Sequence, residues 1–139
     1  MSKINDFYPL ILESLNNNKL FSFPINGTSM RPLLNKGDIV TLKKIDKLKK
    51  GDIVLFIRND NSFVLHRIIK INKNNSYNIV GDHQVKIEKN ILDKQLIGVV
   101  TQYKRKNKAK YNSLNKLSYK IYSLLVRLSF IRFIFSKLY

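Results

Sequence analysis

A serine and a histidine in this sequence have the chemical character of a nucleophile and its base. Ser29 lies in the stretch NGTSMRPL, residues 26–33, and His66 ends the apolar run FVLH, residues 63–66. A serine hydroxyl is a weak nucleophile at its ordinary pKa and needs an adjacent base. An imidazole can accept that proton near neutral pH and return it to a leaving amine. The pair therefore suits hydrolysis of an amide bond, provided that the fold brings the two side chains together.

The residues around the serine fit such a role. Gly27 carries no side chain, so the chain can turn tightly just before Ser29, expose its hydroxyl and leave room for a substrate strand. The backbone N–H of Ser29 would most simply hold the oxyanion of the reaction, with help from the Thr28 hydroxyl. Two Gly-Asp pairs further on, at residues 37–38 and 51–52, are typical of turns in which the aspartate bonds backbone amides.

The order of these motifs resembles the type I signal peptidases, in particular the branch whose base is histidine rather than lysine. The motifs, in chain order, are the NGTSMRP segment, Gly37-Asp38, Gly51-Asp52, Leu65-His66-Arg67 and Gly81-Asp82. The resemblance spans about residues 25–100. It implies a serine endopeptidase that cleaves signal or leader peptides after small residues, with Ser29 as nucleophile and His66 as general base. It also implies that Met30, beside Gly27, lines the substrate pocket.

The imidazole of such a pair is expected to be oriented by a third group, usually an acid. The resemblance implies Asp82, whose Gly-Asp pair closes the motif in the family. An acid soon after that pair can fill the role in histidine-type relatives, and here it would be Glu88. We favour Asp82 and keep Glu88 as the alternative. His83 is interpreted as a loop residue.

The pattern of apolar residues predicts a mainly β (α+β) fold. Apolar positions spaced by three and four predict a helix over residues 4–16. Short apolar runs between Gly-Asp and Asn clusters predict strands at 21–23, 39–43, 53–58, 63–71, 77–80 and 95–103. Hairpin turns are expected at 59–62 and 72–76. The resemblance implies that the strands form the antiparallel β fold shared with the SOS-repressor autoproteases. The expected segments are 1–19, 20–103 as the catalytic β domain, and 104–139 as a basic linker and amphipathic helix.

Composition limits the chemistry that the chain can carry. The absence of cysteine excludes disulfides, thiolate metal sites and cysteine nucleophiles. The two histidines disfavour a multi-histidine metal site, so we expect no metal and no cofactor. The net charge of +17 on 139 residues predicts an anionic partner, either nucleic acid or an anionic membrane surface.

The C-terminal segment favours the membrane. It has no acidic residue after Asp93. Its apolar stripe is Leu114, Leu117, Ile121, Leu124, Leu125 and Leu128. No run of about 20 uncharged apolar residues occurs, so a peripheral amphipathic helix is predicted rather than a span. The alternative is that the stripe packs on the β domain. No signal peptide or N-terminal anchor is recognised, which leaves the membrane side open and is compatible with the cytoplasmic face.

Two other functions are weighed against the peptidase. A self-cleaving repressor domain would use lysine as its base and would need an Ala-Gly or Cys-Gly site upstream of the serine. Here the only alanine is Ala109, downstream. A basic nucleic-acid module would fit the charge and the aromatic residues. No helix-turn-helix or RNA-binding fingerprint is recognised, so no specific nucleic acid is expected. The oligomeric state is left open.

Overall fold

An antiparallel sheet of eight strands organises the chain in the computed structural model, which describes residues 4–139. The elements in chain order are α1 (Ile4–Asn16), β1 (Phe21–Pro24), β2 (Ile39–Lys43), β3 (Ile53–Ile57), β4 (Phe63–Ile71), β5 (Ser76–Val80), β6 (Glu88–Leu92), a 3₁₀ turn (Asp93–Gln95), β7 (Leu96–Lys104), β8 (Tyr111–Ser113), α2 (Leu117–Val126) and α3 (Ser129–Leu138). The predicted mainly β fold with helices near both ends is confirmed. Residues 1–3 of the predicted N-terminal segment lie outside the described residues.

Strand β7 joins the two parts of the sheet. The strand order is β1-β2-β7-β3-β4-β5-β6, and β8 pairs with β7. Because β7 follows β6 in sequence yet lies between β2 and β3, the sheet is held together by contacts between distant parts of the chain. The pairings β2–β7 and β3–β7 each contain a register shift, at Thr41/Leu42 and at Leu55/Phe56.

Two asparagine-rich turns set the register of β4. In the first turn, the Arg58 N–H donates to the Ser62 carbonyl, and Asn61 adopts a φ of 66°. In the second, the Asn72 N–H donates to the Ser76 carbonyl, and Asn75 has a φ of 58°. Asparagine tolerates this left-handed conformation better than most residues. Both turns lie where the sequence predicts them, and between them β4 places His66 opposite Val54.

Side chains from the two faces of the sheet pack into two apolar cores. In β3, Leu55 belongs to the core that also contains Ile11 and Leu15 of α1, whereas Val54 belongs to the second core with Ile68. This is the period-2 alternation expected of a strand that is covered on both faces. Full burial of an aliphatic side chain contributes about 1.5–3 kcal/mol, so α1 is firmly attached to the β domain by its apolar stripe.

The pattern of apolar residues does not predict two of the strands. Strand β6 reads EKNIL, and only Ile91 of its residues is buried. Strand β8 has three residues, all of intermediate exposure. Both lie at margins of the sheet and bury little apolar surface, so they lack the alternation by which strands are recognised in sequence.

The C-terminal segment forms two helices where one was predicted. Leu128 is extended, with φ of −76° and ψ of 129°, and separates α2 from α3. The buried Arg132 of α3 donates to the carbonyls of Val126 and Arg127, at 3.1 and 2.7 Å. These carbonyls end α2 and lack partners within the helix. A side chain from α3 therefore caps α2, an arrangement that periodicity alone does not reveal.

The face of α2 that meets the β domain is not the apolar stripe. Ser123 and Val126 are buried there, and Tyr119 and Tyr122 lie beside them. Five stripe residues are exposed, namely Leu117, Ile121, Leu124, Leu125 and Leu128. The helix packs on the domain through residues other than the stripe, and of the six stripe residues only Leu114 packs against the core. Within residues 4–139, no helix has the length and apolar character needed to cross a bilayer.

Candidate active site

The serine and the histidine lie within hydrogen-bond distance. Ser29 begins the turn that follows β1, and His66 is in the middle of β4, where it is 1% exposed. The distance from Ser29 Oγ to His66 Nε2 is 3.0 Å. The Ser29 carbonyl accepts a hydrogen bond of 2.9 Å from the backbone N–H of His83. The nucleophile candidate is thus fixed between β4 and the loop after β5.

The other ring nitrogen of His66 faces Glu88. Nδ1 lies 3.3 Å from Glu88 Oε1, although its N–H is not aligned well enough for a good hydrogen bond. A carboxylate on this side favours the proton on Nδ1, which leaves Nε2 to accept a proton from Ser29. Hydrogen bonds of catalytic groups are often long in free enzymes and tighten with substrate.

Arg58 holds the Glu88 carboxylate in place. Its guanidinium makes two bonds, from Nε to Oε2 at 2.9 Å and from Nη2 to Oε1 at 2.5 Å. The contact with His66 and then the bonds from Arg58 lower the pKa of Glu88 to about 2. Glu88 is therefore a carboxylate under any ordinary assay condition. The pairing fixes its position as well as its charge, since such two-bond contacts restrict geometry.

Asp82 does not face the imidazole, which corrects the preference stated from the sequence. Arg67 donates to both of its carboxylate oxygens, each at 2.7 Å, and the Tyr122 hydroxyl donates to Oδ2 at 2.9 Å. Neighbouring residues of a strand point to opposite faces, so Arg67 leaves β4 on the side away from His66. Asp82 pairs with Arg67 on that side. The acid beside His66 is Glu88.

The close packing around residue 81 explains why a glycine precedes Asp82. A Cβ at position 81 would lie 2.5 Å from the Ser29 carbonyl oxygen and 3.1 Å from His66 Nε2. The first contact is shorter than real Cβ atoms show, and its partner is backbone. Any larger residue would push the loop away from both site residues. The Gly-Asp pair thus has two separate functions, because glycine allows the close approach while aspartate neutralises Arg67.

A cleft opens beside Ser29 and His66. Its volume is about 230 Å³, and Ile4, Ile25, Met30, Phe63 and Leu65 provide most of its apolar wall. The predicted pocket residue Met30 is 2% exposed and lines this cleft. Gly27 also lines it. Thr28 is exposed and is not among the lining residues, so the structure does not bring its hydroxyl to the site.

The backbone around the nucleophile leaves one donor available. Within the described residues, the N–H of Ser29 donates no hydrogen bond to the protein. Gly27 has an ordinary negative-φ or extended backbone, and a Cβ added there would meet no atom within 4 Å. Neither its backbone nor its surroundings in the free protein require a glycine. The open space beside it belongs to the cleft.

Several further residues of the site have little or no signature in the sequence. Arg58 reaches Glu88 across the sheet, and Gln84 and Ile4 line the cleft. They lie far apart in sequence, and ordinary turn, loop and helix patterns surround them. Only Arg58 offered a signal, since it ends an apolar strand just before a turn. Residues 4–139 contain no group of three or more His, Cys, Asp or Glu side chains that could hold a metal ion.

The C-terminal helices support the loop next to the site. The fully buried Arg67 guanidinium also bonds the Gly51 carbonyl at 2.8 Å, the Tyr119 hydroxyl at 2.7 Å and Ser123 Oγ at 3.1 Å. Burial acts to lower the pKa of Arg67, but the Asp82 carboxylate more than offsets this and the pKa lies above its ordinary value. Burial and the Asp82 charge raise the pKa of Tyr122. Arg132 of α3 donates to the Gln84 carbonyl at 3.1 Å.

Comparison with known proteins finds two kinds of relative, each matching part of the chain. Signal peptidase I W of Bacillus subtilis (strain 168) is 38% identical over 58 residues, which are 40% of this chain and 27% of that protein. The LexA repressor of Limosilactobacillus reuteri (strain DSM 20016) is 36% identical over 66 residues, which are 47% of this chain and 32% of that protein. The matches thus span about a third or less of these relatives. No solved structure matches the chain significantly.

The family assignment rests on a longer match than either relative gives. The family model described as Peptidase S24-like matches residues 1–102, which include Ser29, His66 and Glu88. This stretch is well over half of the 139 residues. The chain belongs to the peptidase S24-like family.

Proposed function

We propose that the protein is a serine endopeptidase that cleaves signal or leader peptides from secreted precursors. Ser29 is the nucleophile, His66 the general base and Glu88 the group that orients the imidazole. The observation that carries the proposal is the 3.0 Å distance between Ser29 Oγ and His66 Nε2 at the edge of an apolar cleft.

The proposed reaction begins with proton transfer from Ser29 to His66. As Oγ attacks the carbonyl carbon of the scissile peptide, Nε2 takes its proton, and the Ser29 N–H binds the oxyanion. The charged imidazole is stabilised by the Glu88 carboxylate. It then protonates the leaving amine, which leaves an acyl group on Ser29. Water, deprotonated by Nε2, attacks this ester and releases the N-terminal fragment of the substrate.

The cleft supports an extended peptide with a small apolar side chain at the cut. A volume of about 230 Å³ lies below the ~300 Å³ at which typical small-molecule pockets begin. Most of the wall is apolar and Arg58 is already paired with Glu88, so a charged side chain would lose its hydration with little compensation. The open space beside Gly27 would admit the substrate backbone, which could pair with the adjacent edge of β1.

The first experiment compares Ser29→Ala with Ser118→Ala on a panel of leader peptides, with cut sites mapped by mass spectrometry. Ser118 is an exposed serine on α2 and is the matched control. We expect Ser29→Ala to lose activity by about 10⁴-fold and His66→Ala by a similar factor, because nucleophile and base act as a unit. Near-normal cleavage by Ser29→Ala would exclude the proposed nucleophile.

The same samples test the self-cleaving alternative. A repressor-like domain would cut its own chain. The fraction of intact chain seen by mass spectrometry would then fall with time, at a rate independent of protein concentration. We expect the wild-type chain to stay intact while added peptides are cleaved. A Ser29-dependent loss of intact chain, without cleavage of the added peptides, would favour self-cleavage and contradict the proposal.

A further inference from the structure

The two C-terminal helices present an apolar surface to solvent. We call it the outer face; its residues are Leu117, Ile121, Leu124, Leu125, Leu128, Phe130, Phe133, Ile134 and Leu138. All nine are exposed, with Leu117 at 73% and Leu138 at 70%. Nine large apolar side chains exposed on two neighbouring helices are unusual for a soluble monomer, and exposed apolar surface on this scale marks an interaction site.

Packing inside the chain leaves the outer face no other orientation. The opposite sides of the same helices are anchored by Tyr122 on Asp82, Ser123 on Arg67 and Arg132 on the Gln84 carbonyl. Rotating either helix to bury the outer face would break these bonds and leave buried charged groups without their hydrogen-bond partners. Polar groups therefore make most of the bonds to the protein while the outer face is apolar, which differs from the usual order of an amphipathic surface helix.

The charged residues of the two helices are all basic. The chain contains no acidic residue after Asp93, whereas the helices carry Lys116, Lys120, Arg127 and Lys137 besides the buried Arg132. Beside α2 lies a concavity of about 410 Å³, which we call the lysine pocket. Its basic lining residues are Lys43, Lys47, Lys49, Lys50, Lys120 and Arg127. Asp52 is the one acid that lines it, and it is paired with Lys49 at 2.9 Å.

We propose that the outer face docks on an anionic lipid bilayer and that the lysine pocket receives the phosphate headgroups. An interfacial helix buries an apolar face at the headgroup boundary while flanking Lys and Arg bind anionic lipid. This inference goes beyond the proposed peptidase function and does not depend on it, since none of the residues involved belongs to the Ser29–His66 site.

Charge complementarity selects a membrane over the other occupants. A second copy of the chain would bring two positive faces together, with no acidic residue in either helix to pair with them. A nucleic acid would match the charge but would leave the aliphatic side chains of Ile121 and Leu124 without an apolar partner. An anionic bilayer satisfies both features, because its surface is negative and its interior is apolar.

The first test measures sedimentation of the full-length protein with vesicles. One set contains phosphatidylcholine with about 30% phosphatidylglycerol, and the other contains phosphatidylcholine alone. The outer-face variant carries Ile121→Ser, Leu124→Ser and Phe133→Ser. Its control carries Leu10→Ser, Leu20→Ser and Leu92→Ser, three exposed leucines elsewhere. We expect wild type and control to bind the anionic vesicles and the outer-face variant to bind at least about tenfold more weakly.

The second test separates the lysine pocket from overall charge. Lys47→Gln, Lys50→Gln and Lys120→Gln remove three charges at the pocket, and Lys73→Gln, Lys89→Gln and Lys94→Gln remove three exposed charges elsewhere. We expect only the pocket variant to lose binding, by several-fold. An equal loss in both variants would mean that net charge alone acts, and it would overturn the headgroup assignment.

A fluorescent reporter tests insertion directly. The chain has no tryptophan, so Leu124→Trp gives emission from the outer face alone, and Leu92→Trp is the matched control. We expect anionic vesicles to shift the Leu124→Trp emission to the blue and to leave that of Leu92→Trp unchanged. Equal emission with and without vesicles would overturn the proposal.

Two further outcomes would also overturn it. One is a concentration-dependent dimer, seen by analytical ultracentrifugation without lipid, that the outer-face variant converts to monomer. The other is binding of a duplex oligonucleotide at the vesicle affinity, unchanged in the outer-face variant. Circular dichroism spectra that match wild type show that each variant is folded, so weak binding cannot be assigned to unfolding.

Discussion

His66 and Arg67 are neighbours on β4, yet they belong to two separate clusters of polar groups. His66 contacts Ser29 on one side of its ring and Glu88 on the other. Arg67 pairs with Asp82 on the opposite face of the strand. The alternation of a β-strand is what separates them. A reactive group and a structural charge pair can therefore occupy adjacent positions without disturbing each other.

This separation predicts opposite results for two amide substitutions. Glu88→Gln removes the charge beside His66, and we expect kcat to fall by about 10²–10⁴-fold. Because Glu88 is only partly buried, with 23% of its side chain exposed, we expect this variant to lose less stability than the next one. Asp82→Asn leaves Arg67 buried without a counter-charge, and we expect about 3–5 kcal/mol less stability. Peptide cleavage at low temperature and urea unfolding measure the two effects. The reverse pattern, with activity more sensitive at position 82, would contradict the assignment of Glu88.

Glu88 also predicts how stability depends on pH. Its pKa in the folded protein is about 2, below the ordinary value of 4.5, so the folded state favours the charged form. The resulting stabilisation is present above pH about 4.5 and is lost as pH falls towards about 2. We expect the unfolding free energy of Glu88→Gln to decline less over this window than that of wild type. Urea unfolding measures it, with the exposed Glu13→Gln as control; parallel curves for Glu88→Gln and wild type would refute the linkage.

At the scale of elements, α2 acts as a clamp on the β domain. It brings the hydroxyls of Tyr119, Tyr122 and Ser123 to the buried Arg67–Asp82 pair. The sequence predicts a β domain at residues 20–103 and a separate linker and helix at 104–139, so a chain cut after Lys110 would be expected to stay folded. The structure changes this expectation, because the cut would leave the charge pair open to water and remove β8 from β7.

We therefore expect truncation after Lys110 to lower Tm and to favour aggregation. Tyr122→Phe is the mild form of the same change. It removes one hydrogen bond to a buried carboxylate and should cost about 1.5–3 kcal/mol. Tyr139→Phe, an exposed tyrosine, is the control. Calorimetry measures Tm for the truncated chain and for the two tyrosine variants. A truncated protein with the Tm of the full-length chain would contradict a stabilising role for α2.

The elements also show where sequence reasoning succeeds. Helix α1 and strands β2 and β4 have the predicted bounds, because each buries an apolar pattern of unmistakable period. Strand β6 was missed because it buries only Ile91. Ser29 and His66 lie in recognisable motifs. The choice of Glu88 over Asp82 depends on which face of β4 each acid meets, and that is fixed by pairing between strands rather than by any local pattern.

At the scale of the whole molecule, most of the exposed large apolar side chains lie on the C-terminal helices, beside the basic lysine pocket. Salt therefore provides a test of how the two contributions combine. At about 0.5 M NaCl the Debye length falls to roughly half its value at about 0.1 M, which weakens the attraction of lysines to lipid but not apolar burial. We expect vesicle binding to fall several-fold and to persist. Complete release would indicate electrostatic attachment alone, and no change would indicate apolar attachment alone.

The contact between Arg132 and the Gln84 carbonyl has a consequence for when the candidate site forms during synthesis. Residues 81–84 bear on Ser29, since the His83 N–H bonds its carbonyl. They are held in turn by α2 and α3 through Tyr122 and Arg132. During translation Ser29, His66 and Glu88 emerge from the ribosome well before these helices. We therefore expect the nascent chain to lack the proposed activity until α3 has been synthesised, because the helices that hold the site must fold first.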